Sequence, residues 1–106
     1  MTRVLFETHH LYYWPNFLPI INELKYRKKY KIEVSMPKRS SDTEENLLIK
    51  SCDSLEISFI SGKTEQIRIN KIIKSEYDVI IVGNVGQLNK IVHTKTCAVM
   101  VYHGIG

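Results

Sequence analysis

Val79-Ile80-Ile81-Val82 is an unbroken β-branched block, closed by the turn-type sequence Gly83-Asn84-Val85-Gly86. Four apolar residues with no polar alternation describe a strand covered on both faces, which is the pattern of a parallel sheet. Cys97-Ala98-Val99-Met100-Val101-Tyr102 is a second apolar run of that kind, and Val4-Leu5-Phe6, near the start of the sequence, is a third. Ile32, Val34 and Met36 alternate with Glu33 and Ser35 before Pro37 ends the run. Leu55, Ile57, Phe59 and Ile60 form another strand, stopped at Ser61-Gly62.

The segments between these strands carry the helical period. Phe17, Ile20, Ile21 and Leu24 fall at i, i+3, i+4 and i+7, with Asn16 as N-cap and Pro19 in the first turn. Ser41-Asp42-Thr43-Glu44 has capping-box spacing ahead of a helix that buries Leu47, Leu48 and Cys52. A third helix, from about Thr64 to Ser75, buries Ile69, Ile72 and Ile73, and Gln87 to His93 reads as a short helix or turn. The resulting β-α-β-α-β-α-β-(α)-β order predicts an α/β, Rossmann-like parallel sheet of about five strands with helices on both faces. Residues 1–106 form one such domain, and the sequence stops directly after a buried-type strand, where a finished domain would continue into a covering helix.

Composition narrows the function classes. The chain has 106 residues, 43% hydrophobic and 25% charged, with 15 Lys+Arg against 11 Asp+Glu for a net charge of +4. That is an ordinary globular composition with a mild basic excess, which permits an anionic partner without requiring one. Cys52 and Cys97 make neither a CxxC pair nor a disulfide framework. No apolar run approaches the ~20 residues of a membrane span, and no signal-peptide core follows Met1. The expectation is a cytoplasmic chain, peripheral at the inner face of the membrane if it meets one.

In an open α/β sheet, ligands bind beyond the carboxyl ends of the strands at the topological switch point. With strand order 3-2-1-4-5 that point lies between the first and fourth strands. His9 and His10 follow the first strand, Gly83 and Asn84 the fourth, and His103 and Gly104 the fifth, so one rim collects them. His103 suits general-base chemistry because imidazole titrates near neutrality, although a histidine that merely ends a strand reads the same way. His9 and His10 are adjacent and point opposite ways in an extended segment. No histidine pair has helical metal spacing, so no metal ligand set is expected. Gly62-Lys63-Thr64 is not a P-loop, because Ile57 stands where the first glycine would be. Neither a GxSxG elbow nor an acidic pair at the end of the first strand is present; that strand ends Glu7-Thr8-His9. Aromatic Trp14 and the cations Lys25, Arg27, Lys28 and Lys29 suggest a surface for an anionic membrane or acceptor, against the plainer reading of a packed loop and a solvated helix end. Nucleic acid is not expected: the chain has no RNP-type aromatic strand and no recognition helix.

The stretch Thr8 to Ile20, with its Trp14-Pro15-Asn16-Phe17-Leu18-Pro19-Ile20 helix start, and the ending Tyr102-His103-Gly104 resemble the N-terminal half of CDP-glycerol glycerophosphotransferase-like enzymes. The resemblance implies an incomplete GT-B transferase: one of two facing Rossmann-like domains, acting in teichoic-acid-type polymer or surface-glycan synthesis. It implies that His103 deprotonates an acceptor hydroxyl, which attacks the phosphate of a nucleotide-activated glycerophosphate donor, or a sugar donor in related enzymes. His9, His10, Gly83, Asn84 and Gly104 would line the acceptor cleft. The acceptor would be a membrane-linked polymer, and no cofactor beyond the donor substrate is implied. The donor would bind mainly to a C-terminal domain, without which the chain would be inactive. The family's Thr-Pro after His-Gly is replaced here by Ile105-Gly106. A non-catalytic α/β binding domain and part of a sugar-nucleotide epimerase remain alternative readings.

Overall fold

A computed structural model describes residues 1–8, 14–38, 42–83 and 96–100. The elements are β1 (Thr2–Glu7), α1 (Trp14–Arg27), β2 (Tyr30–Ser35), α2 (Asp42–Leu55), β3 (Ser58–Ile60), α3 (Glu65–Ser75), β4 (Val79–Val82) and β5 (Cys97–Met100). All strand pairs are parallel, in the order β3-β2-β1-β4-β5. The protein is therefore an α/β, Rossmann-like fold with the predicted strand order.

The connections explain which helix lies where. From β1 to β3 the chain steps outward in one direction, and from β3 to β4 it reverses past β2 and β1. Right-handed crossovers then place α1 and α2 on one face and α3 on the other. The two cores follow strand parity. Val4, Phe6, Ile32, Val34 and Ile81 pack with Trp14, Phe17, Ile21, Leu48 and Cys52, whereas Leu5, Ile80 and Val82 pack with Ile69, Ile72 and Tyr77. The Phe6 and Phe17 rings meet at 5.4 Å, tilted by 57°, in the first of these cores. The β4 block thus feeds both cores, as an unalternating apolar strand must.

Several element details differ from the sequence reading. Helix α1 begins at Trp14 rather than after Asn16, which puts Pro19 inside the helix. Pro15 and Pro19 both lie on its exposed side, where water can serve the Pro15 carbonyl that Pro19 cannot satisfy. Leu47 and Ile73 are exposed, and the buried stripes run instead through Glu45, Leu48 and Cys52 on α2 and through Arg68, Ile69 and Ile72 on α3. Leu55 belongs to the end of α2, and β3 is only three residues long. Thr64 is the N-cap of α3, its Oγ1 accepting the Ile67 N–H at 3.2 Å. Ser41 of the expected capping box, and the expected helix or turn from Gln87 to His93, lie outside the described residues.

Candidate functional site at the carboxyl edge

Strands β1 and β4 are neighbours, with Glu7 in register with Val82. The next residues, Thr8 and Gly83, are both buried and stand at one rim, the switch point of the sheet. Strand β5 joins the same edge, with Val82 in register with Met100. His9, His10, Asn84, His103 and Gly104 lie outside the described residues. In sequence, His9 follows Thr8, Asn84 follows Gly83, and His103 comes three residues after Met100.

Beneath this edge, on the α3 face, lies a polar network that alternation alone does not reveal. Leu5 and Glu7 share a face with Glu33 and Ser35 across the β1–β2 register. Helix α3 brings Arg68 to that face, fully buried, against Glu7, which is 2% exposed. Arg68 donates from Nη1 to Glu7 Oε1 at 2.8 Å and from Nη2 to Glu7 Oε2 at 3.2 Å, a bidentate pair. It also donates from Nε and Nη2 to the two Glu65 oxygens, at 2.8 and 2.6 Å. The Ser35 hydroxyl donates to Glu7 Oε1, and the Thr8 N–H donates to the Ser35 carbonyl at 2.8 Å. Burial works against the Arg68 charge, but the hydrogen bonds and charges of Glu65 and Glu7 outweigh it and hold its pKa above the usual guanidinium range.

Lys38, just past β2, ties this network to the opposite helix layer. Its backbone N–H donates to Glu65 Oε1 at 2.8 Å, while its Nζ lies 3.4 Å from Glu45 Oε2 on α2. One residue therefore links α3 to α2 over the carboxyl edge. The turn before α3 is equally tight: a Cβ on Gly62 would sit 2.8 Å from the Arg68 backbone nitrogen. Close approach of β3 to the start of α3 is what requires glycine there, not a phosphate cradle.

The arrangement is a rigid polar floor under the switch point. A buried Arg68 held by two carboxylates is already satisfied, so it positions β1, β2 and α3 rather than offering a free charge to a ligand. Glu7, Ser35, Lys38, Glu65 and Arg68 were not among the residues expected at the site. The signal was a glutamate closing an apolar strand, which in a sheet covered on both faces demands a buried cation.

The remaining predicted surface does not assemble as one patch. Trp14 is buried, with its Nε1 donating to Ser51 Oγ at 2.9 Å, so it belongs to the core and not to a membrane-facing surface. It also begins α1, whereas Lys25 and Arg27 end it, roughly 17 Å away along the axis at 1.5 Å per residue. Lys25 Nζ donates to the Leu55 carbonyl, Arg27 pairs with Glu23 at 3.0 Å, and Lys29 lies over the Tyr30 ring at 5.8 Å. Lys28 is exposed at the end of the helix with a φ of 55°. These four cations share the amino edge, opposite the rim. Among the described residues, no helix is long and apolar enough to cross a membrane. No protein-family model, characterised relative or solved structure matches this chain.

Proposed function

We propose that this chain is the acceptor-side Rossmann-like domain of a GT-B-type transferase, working with a second domain that binds a nucleotide-activated glycerophosphate or sugar donor. The observation that supports this reading is the β1–β4 junction, which brings Thr8 and Gly83 to one rim from which His9 and Asn84 follow in sequence. In this reading His103 takes the proton of an acceptor hydroxyl as its oxygen bonds to the donor phosphorus, and the nucleotide leaves with the electrons of the broken P–O bond. With a sugar donor the same oxygen bonds to the anomeric carbon, and the nucleotide leaves with the electrons of the broken anomeric C–O bond. The acceptor in this reading is a membrane-linked polymer hydroxyl that would meet the chain beside Gly83 and Gly104, residues that carry no side chain. Glu7, Arg68 and Ser35 hold the floor of that cleft and touch neither substrate.

Transfer from CDP-glycerol, measured on the protein in its full natural length, tests the proposal. His103→Ala is expected to lower turnover by about 100-fold or more, in line with loss of a general base. Undiminished turnover removes His103 from the mechanism. Absence of transfer from both CDP-glycerol and nucleotide-sugar donors removes the transferase reading itself.

A further inference from the structure

Above the polar floor, the rim holds one polar group that the fold leaves unused. Thr8 is fully buried, and among the described residues its hydroxyl has no hydrogen-bond partner. An unpaired buried hydroxyl costs stability, and folded proteins carry few of them. The Thr8 backbone is nevertheless tied down. Its N–H donates to the Ser35 carbonyl at 2.8 Å, and Glu7 before it is locked onto Arg68. The hydroxyl is therefore held in place without serving the fold.

Strand alternation sets the direction of its side chain. Val4, Phe6 and Thr8 share the α1 face of β1, whereas Glu7 faces α3. Phe6 packs on Phe17 with ring centroids 5.4 Å apart. Thr8 lies roughly 6.6 Å beyond Phe6 toward the carboxyl edge, and Trp14 lies roughly 4.5 Å beyond Phe17 in the same direction. The Thr8 hydroxyl thus stands level with the first turn of α1. That turn presents the N–H groups of Trp14 and Asn16, which have no acceptor within the helix, while Pro15 has none to give. The 14-residue helix adds partial positive charge at this end. Its first turn contains no acidic residue, whereas α2 has Asp42, Glu44 and Glu45 there and α3 has Glu65. Gly83, which follows β4 as Thr8 follows β1, puts no side chain on this face. Glu7 lies across the sheet on Arg68, and Glu45 is paired with Lys38, so neither carboxylate stands free against an anion.

We propose that Thr8 Oγ1 and the first turn of α1 form a subsite for the phosphate group of a small phosphate ester. The hydroxyl and the Trp14 and Asn16 amides each donate to a phosphate oxygen. A set made only of donors, at the positive end of a helix, calls for a group that is anionic and rich in acceptors. In the transferase reading that phosphate belongs to the acceptor, because the donor sits on the second domain. This last assignment rests on that reading, whereas the subsite itself does not.

Glycerol 3-phosphate is the probe, titrated into the whole chain and followed by amide NMR. Saturable shifts at Thr8, Asn16, Phe17 and Gly83 are expected, with a Kd on the order of 1 mM for a ligand of this size. Glycerol, which lacks the phosphate, should bind about tenfold more weakly or worse. Thr8→Val keeps the shape and removes the hydroxyl. It should weaken glycerol 3-phosphate about tenfold, the loss of one charge-assisted hydrogen bond, and leave the urea midpoint unchanged or higher. Thr8→Ser, which keeps the hydroxyl, should keep most of the affinity. Undiminished binding by Thr8→Val overturns the proposal. A lower urea midpoint for Thr8→Val also overturns it, because the hydroxyl then serves the fold. Shifts confined to Lys28, Lys29 and Lys31, or shifts that never saturate, overturn it as general attraction to a basic surface. Binding is read without turnover, so absence of transfer leaves this result intact, and loss of this binding leaves the His103 test intact.

Discussion

Replacing Arg68 by methionine removes the cation from a site that solvent does not reach. Arg68 is fully buried and Glu7 is 2% exposed, so the variant leaves the Glu7 carboxylate with the Ser35 hydroxyl as its remaining hydrogen-bond donor in the network. Breaking a buried pair in this way costs about 3–5 kcal/mol, because the surviving charge is neither solvated nor paired. Domains of this size are stable by about 5–15 kcal/mol in total, so the loss is a large fraction of the whole. In urea, at a slope of about 1.5 kcal/mol/M, the midpoint should fall by about 2–3 M with the slope itself unchanged. Circular dichroism and the fluorescence of the single, buried Trp14 provide two probes of the same transition. The charge argument makes a second, sharper claim. Adding Glu7→Leu to Arg68→Met removes the stranded carboxylate, and Ser35→Ala removes the hydroxyl that then lacks its acceptor. Glu65 keeps the Lys38 N–H as a donor and enough exposure, 36% of its side chain, to stay hydrated. The triple variant should recover most of the loss, since apolar replacement of a buried ion pair is often neutral or better. If Arg68→Met costs less than about 1 kcal/mol, or if the triple variant is no more stable than Arg68→Met alone, the network is not the fixed, desolvated floor described above.

Three further outcomes follow from the same structure. Gly62→Ala should destabilise by about 1–3 kcal/mol in urea melts, because its Cβ would meet the Arg68 nitrogen at 2.8 Å and the Arg68 Cα at 3.2 Å, both backbone atoms that cannot move aside. Lys28→Gly and Glu76→Gly should each stabilise by about 0.5–1 kcal/mol, since both residues end helices in the left-handed region, at φ 55° and 47°; a loss of stability on calorimetry would contradict that backbone assignment. Burial, and then the charge of Asp53, pushes the Cys52 thiol up to about 12, and burial followed by the charge of Glu33 raises the Tyr77 hydroxyl. The unfolded chain ionises first in both cases and so binds fewer protons above the ordinary thiol and phenol pKa values of 9.0 and 10.0, which makes stability fall as pH rises from there toward about 12. Cys52→Ala should flatten the part of that fall due to the thiol, read as the urea midpoint against pH, and a thiol reagent should label exposed Cys97 while sparing Cys52 until the protein unfolds.

Much of the fold was legible in local pattern. The Val79–Val82 block announced a strand covered on both sides, and it does feed both cores, with Ile81 on one face and Ile80 and Val82 on the other. Phe17 and Ile21 marked the buried stripe of α1 correctly, and the strand order taken as the common one for such an alternation is the order observed. The site was legible only as a location. The rim between β1 and β4 could be named from topology, whereas the network beneath it could not, because a period-two pattern scores Glu7, Glu33 and Ser35 as solvent-facing.

Most strands and helices, and the parallel sheet covered on both faces, could be read from the sequence, since apolar periodicity and crossover handedness are local or nearly local properties. Tertiary structure decided which flank of each helix turns inward. Ile73 and Arg68 both border the apolar stripe of α3, and Arg68 is the one that is buried because Glu7, 61 positions away in sequence, waits at the end of β1. Leu47 gives way to Glu45 on α2, where Lys38 lies within reach. Trp14, which the sequence left between a surface aromatic and a packed one, is a core residue with its indole N–H on Ser51, 37 positions away. In each case a buried polar group had to find its partner across the fold, and the free energy of leaving it unpaired, not the local pattern, fixed the packing.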